Sequence, residues 1–146
     1  MHDQYVKGLL KSLFGSQYKT QMYYTGLRYG GSSAQIDGVV VLPEGEIAIE
    51  VESRVAKQAR GAILDLFFHR ARKKLFVIVP KHMNNPQALK EDAEYILNKL
   101  RKLRPDIIFK VVILKGSGDN PKPNEDLKIL EKAIAELRKI SIERSG

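Results

Sequence analysis

Gln35-Ile36-Asp37-Gly38-Val39-Val40-Val41-Leu42-Pro43-Glu44-Gly45-Glu46-Ile47-Ala48-Ile49-Glu50-Val51-Glu52 reads as a β-hairpin. Residues 35–42 make one apolar strand, Pro43-Glu44-Gly45 a tight turn, and residues 46–52 the returning strand. Folding about that turn brings Asp37 opposite the Glu50–Glu52 stretch. Glu50 and Glu52 are two apart and share a face of the sheet. Three carboxylates converging at the end of apolar strands are costly to hold unless a cation compensates them. Hard oxygen ligands of this kind suit Mg²⁺, with Mn²⁺ as a substitute. A divalent metal beside a basic surface points to phosphodiester chemistry.

Working outward, Val6, Leu9, Leu10, Leu13 and Phe14 mark one face of a helix over 4–14, closed by Gly15. Residues 18–24, rich in Tyr and Thr, suggest a first strand, and Gly30-Gly31-Ser32-Ser33 a flexible loop. After the hairpin, helical spacing returns over 54–68 on Val55, Ala59, Ala62, Ile63, Leu66 and Phe67. The run 74–79 has the pattern of a strand covered on both faces. Asn85-Pro86 caps a helix that Pro105 ends, and 107–114 reads as another buried strand. Two Gly, two Pro and two Asn make 115–124 a loop and the segment most expected to move. Asn124-Glu125-Asp126 opens a last helix, with acids at its positive end. The order implies a single α/β domain over 1–146, with a mixed central sheet flanked by helices.

At 146 residues the chain can bury a real core, and 43% hydrophobic with 29% charged residues is the balance of a soluble globular protein. No apolar run is long enough to span a bilayer, and the first residues lack a secretory pattern, so a cytoplasmic location is expected. Without cysteine there are no disulfides and no thiolate sites. The formal charge of +8 favours a polyanion, with nucleic acid the leading candidate. The cations group at Arg54, Lys57 and Arg60, at Arg70 to Lys74, and at Lys99 to Arg104, the last read as a solvated face. His2, His69 and His82 lack zinc-ligand spacing, and no glycine pattern for ATP or NAD is present.

Asp37, a hairpin, Glu50-Val51-Glu52, a basic helix and a further strand together resemble the PD-(D/E)XK nuclease superfamily, the restriction-endonuclease-like proteins. The resemblance covers roughly residues 1 to 80. It implies an αβββαβ core, here with a C-terminal αβα extension. Gly30-Gly31-Ser32-Ser33, just before the catalytic strand, is similar to the glycine-serine loop of archaeal Holliday junction resolvases. Two features depart from the family pattern. Glu52 stands where a lysine is usual, as it does in some active restriction endonucleases, and the first helix lacks the extra metal-binding Glu, with only Asp3 near its start.

The resemblance implies a Mg²⁺-dependent DNA endonuclease. Asp37 and Glu50 would hold the metal together with the carbonyl of Val51. Glu52 would orient or deprotonate the attacking water, or alternatively Lys57 would supply the missing cation, and Lys57 or Arg60 would offset charge on the phosphate. Arg54, Lys57 and Arg60, with Ser32 and Ser33, would contact DNA. Cutting both strands with one site per chain implies a homodimer. The alternative is a DNA-binding or assembly module that keeps the fold without catalysis.

Overall fold

A computed structural model of the chain describes residues 2–20, 24–29, 32–54, 57–81 and 83–140. Helix α1 (His2–Phe14) leads through a 3-10 turn to the short β1 (Tyr18–Lys19). Strands β2 (Tyr24–Tyr29) and β3 (Ser32–Gln35) pair with each other as a separate antiparallel ribbon. The hairpin follows as β4 (Gly38–Leu42) and β5 (Gly45–Glu52), and then α2 (Lys57–Phe68) and β6 (Lys73–Ile78). Helix α3 (Pro86–Leu100), β7 (Ile108–Ile113) and α4 (Pro123–Lys139) complete the chain. The main sheet has the order β1-β4-β5-β6-β7, antiparallel as far as β5 and parallel from there on. This is a single mixed α/β domain, with four helices flanking the five strands among the described residues.

Alternating side chains divide the core between the two faces of the sheet. Ile47, Ile49, Leu75 and Val77 pack with Val6, Leu10, Leu130 and Ile134 of α1 and α4. Ala48, Phe76 and Ile78 pack with Ile63, Phe67, Ala93 and Leu97 of α2 and α3. Every residue of β6 is buried, as its uninterrupted apolar run requires of a strand between two helical layers. β7 is only partly buried because it forms the sheet edge, so its apolar run overstates its burial. Gly38 is dictated by close approach, since a Cβ there would lie 2.7 Å from the Lys19 carbonyl oxygen on β1.

Several expectations shift. The strand expected over 18–24 is two residues long on the main sheet, and residues 21–23 lie outside the described residues. Ser32 and Ser33, read as loop, open β3 and pair with Tyr29 and Arg28; Gly30 and Gly31 lie outside the described residues. Pairing with β2 overrides the low strand preference of serine. The helix expected from Arg54 begins at Lys57, and Val55 lies outside the described residues.

The 115–124 loop, expected to move, is anchored from beneath at its start. Asp126, wholly buried in the first turn of α4, accepts hydrogen bonds from Lys115 N (2.6 Å), Gly116 N (3.0 Å) and the Tyr5 hydroxyl (2.6 Å). An ion pair joins Asp119 to Lys81. Burial, and then the bond to Asp126, push the Tyr5 hydroxyl up to about 12. Among the described residues no helix is long and apolar enough to cross a membrane.

Candidate active site at the carboxyl end of the central strands

The hairpin register decides what meets what. Gly38 pairs with Ile49, so the preceding residue, Asp37, stands across from Glu50. The Asp37 N–H donates to Glu50 Oε1 at 2.9 Å, and the Val51 N–H donates to Asp37 Oδ2 at 2.7 Å. The two carboxylates therefore clasp the open end of the hairpin, each accepting from the other strand's backbone. Glu50 is 8% exposed and Asp37 half-buried. Burial first, then the charge of Asp37 and a side-chain hydrogen bond with it, push the Glu50 carboxyl well above the usual carboxylate range. The field of Asp65 on α2 adds to this, against the Asp37 backbone N–H, which lowers it.

Glu52 does not join this pair. Continuing the register, its partner would be Gln35, but Gln35 belongs to β3 and pairs with Tyr24. Lying beyond the end of β4, the side chain finds Arg54 instead. Glu52 Oε2 accepts from Arg54 N (2.6 Å) and Nε (2.8 Å), and Oε1 accepts from Nη2 (3.1 Å). The Glu52 side chain is 1% exposed, whereas that of Arg54 is 66% exposed. A buried carboxylate needs such a countercharge. The pair holds Arg54 more firmly charged, and Glu50 and Asp37 contribute to the same effect, so the guanidinium lies within the field of all three acids. Among the described residues, no group of three acids or imidazoles is placed to hold a metal ion. What the hairpin presents is a two-carboxylate donor set. Two hard carboxylates fit Mg²⁺, which commonly takes one or two and fills its octahedron with water and substrate phosphate.

The other expected residues are spread around this end. Lys57 is exposed at the first position of α2. Arg60 is exposed on the same helix, lining a groove with Asp92 and Tyr95 of α3. The ribbon carrying Ser32 and Ser33 runs directly into Asp37 and lies against α2.

The second basic group sits at the opposite end of the strands. Lys73 and Lys74 are buried, because both faces of β6 are covered. Arg70 pairs with Glu46 (2.9 Å) and Arg72 with Asp106 (3.2 Å). Arg70, Arg72 and Arg138 line a cleft of about 800 Å³ there, together with Glu46 and Glu44, which pair with Arg70 and Arg138. In open α/β sheets ligands bind outside the carboxyl ends of the strands, which favours the carboxylate end over this cleft. Of the third group, Lys99 and Lys102 are exposed as read, but Arg104 is half-buried and turns toward the His69 carbonyl.

Sequence reasoning missed one participant and one contact. Asp65 is the sole acid in α2 and acts on Glu50 through space. The Arg54 clamp on Glu52 had one available signal: an acid in an apolar strand end with an arginine two residues later. Comparison of the chain with protein-family models, curated proteins and solved structures finds no match.

Proposed function

We propose that this protein is a Mg²⁺-dependent endonuclease of the PD-(D/E)XK kind, hydrolysing phosphodiester bonds of DNA. The observation that carries the reading is the Asp37–Glu50 pair, held face to face at the carboxyl end of β5. The order α1-β1-β4-β5-α2-β6, with the β2–β3 ribbon inserted after β1, supports it. Asp37 and Glu50 would present the oxygens that hold the metal, and the Val51 carbonyl would be the third protein ligand. The metal, when bound, makes hydroxide available near neutral pH and polarises a phosphoryl oxygen. Lys57, at the start of α2, is a cation free to meet a neighbouring phosphate. Water adds across the phosphorus–oxygen bond, and the leaving oxygen takes up a proton. A homodimer in the cytoplasm, cutting both strands of DNA, completes the reading.

A second reading, a DNA-binding or assembly module without catalysis, is favoured by the engagement of Glu52 with Arg54. Plasmid nicking separates the two. Wild type should nick supercoiled DNA with Mg²⁺ or Mn²⁺ and not with chelator, and Asp37→Ala should not nick at all. DNA binding without cleavage in either metal would establish the second reading instead.

Binding itself should be strongly salt-dependent. The +8 charge implies phosphate contacts that release counterions, so affinity for duplex DNA should fall at least about tenfold between 50 and 200 mM salt. Fluorescence anisotropy showing unchanged affinity over that range would remove the electrostatic argument for a nucleic-acid partner.

A further inference from the structure

We infer that Arg54 is the phosphate-contacting cation of this site and that Glu52 is the residue that positions it. The inference rests on the phosphodiesterase reading and goes beyond it by replacing both Glu52 as water activator and Lys57 as principal cation.

Three observations carry it. First, the Glu52 carboxylate is spent. Both oxygens accept from one residue, through three bonds between 2.6 and 3.1 Å, at a side chain that is 1% exposed. A general base needs an oxygen within reach of the water it deprotonates. This one is sealed beneath a guanidinium.

Second, the clamp fixes Arg54 without consuming it. Glu52 takes Nε–H and one Nη2 hydrogen, and the remaining donors belong to a side chain two-thirds open to solvent. An exposed ion pair contributes little to stability because ordering two mobile side chains offsets the attraction. Here one partner is already immobile in the core, so the guanidinium is ordered from below. Its planar fork matches two phosphate oxygens, as a lysine ammonium does not.

Third, the position is right. Arg54 follows β5 by two residues and feels the charge of Asp37 and Glu50. A phosphate approaching two carboxylates is repelled unless a fixed positive charge stands beside them. Arg60 lines the α2–α3 groove beside Asp92, and Lys57 is an exposed first-turn side chain.

The test is a double-mutant cycle in single-turnover DNA cleavage at saturating Mn²⁺, with Mn²⁺ affinity measured by calorimetry for each protein. Arg54→Ala should cleave about a hundredfold more slowly with Mn²⁺ affinity unchanged within about twofold, and Arg54→Lys should recover part of the rate. Because Arg54→Ala strands a buried carboxylate, the cycle includes Glu52→Gln/Arg54→Ala, which removes that charge. If Glu52 acts through Arg54, the double variant should be no slower than Arg54→Ala alone. A further tenfold loss in the double variant would make Glu52 a chemical participant in its own right and overturn the inference. A wild-type rate in the folded double variant would overturn it as well. Failure of wild type to cleave with either metal would remove the phosphodiesterase reading itself, and this inference with it. Wild-type cleavage with an unaffected double variant would remove this inference alone.

Discussion

Glu50→Gln should lower single-turnover DNA cleavage by about a thousandfold or more and abolish Mn²⁺ binding, while the metal-free protein unfolds at no lower temperature than wild type. The two halves of this expectation have one physical origin. Glu50 is buried against another carboxylate, so its ionised form is disfavoured wherever no cation is present. An amide of the same shape keeps an oxygen to accept the Asp37 N–H and relieves the repulsion, so the hairpin end should close as before. The same amide cannot supply an anionic oxygen, so on the proposed reading a metal there would lose half of its charged donor set. Asp37→Asn should behave alike, since its remaining oxygen can still accept from Val51 N–H. Calorimetry and thermal melts on the same preparations read both halves. Mn²⁺ affinity in Glu50→Gln equal to that of wild type would take the carboxylate pair out of the metal site.

That pair was legible in the sequence because a tight turn sets hairpin register, and register sets which side chains face each other. From Pro43-Glu44-Gly45 the count backwards and forwards sets Asp37 opposite the Glu50–Glu52 stretch, and the observed register singles out Glu50. The fate of Glu52 lies beyond that count. It depends on where β4 stops pairing, and β4 stops because Gln35 is committed to β2. In 24–35 the Gly30-Gly31 pair between two short runs is a hairpin signal as much as a loop signal, and pairing context more than intrinsic preference makes β2 and β3 strands. The helices and inner strands were readable from apolar periodicity, and the Asn85 cap holds as expected, its side chain accepting from Ala88 N at 3.1 Å. Charge was the least legible property. Arg72-Lys73-Lys74 looks like one basic surface run, yet the first is exposed and the other two are buried at the start of a covered strand. Alternation says that such residues point to opposite faces, and only the packing of helices on both faces says that neither face is wet.

Lys74 gives the protein a pH-dependent stability that its replacement by methionine should erase. The side chain is wholly buried, with Nζ donating to the His69 carbonyl at 2.7 Å, and Arg104 also reaches that carbonyl. Burial above all, and then the charge of Arg104 against the weaker help of Asp106, bring the amine down from 10.5 to about 7. Between those values the unfolded chain holds a proton on Lys74 that the folded chain lacks. Unfolding therefore takes up a proton, and stability rises with pH across this window. Below pH 7 both states are charged, and the folded state carries the full burial cost, roughly 4–5 kcal/mol by that displacement. From pH 6 to pH 9, wild type should thus gain about 2–3 kcal/mol that Lys74→Met does not. Taking the difference between the two proteins cancels Glu50, whose raised carboxyl works in the opposite direction as pH rises. Tyr5, pushed up to about 12, exchanges its proton above the range. His69, held down from 6.5 to about 4 by burial and then by Lys74, adds a smaller rise of stability that is complete by about pH 7.5, so the step from pH 7.5 to pH 9 isolates Lys74. Urea denaturation of both proteins at pH 6, 7.5 and 9 reads the effect. Methionine should be the more stable residue at pH 6, where it removes a buried ammonium, and its advantage should shrink steadily toward pH 9. A stability difference independent of pH would mean that Lys74 keeps its proton in the folded chain throughout, with the His69 carbonyl and its surroundings solvating the charge as well as water does.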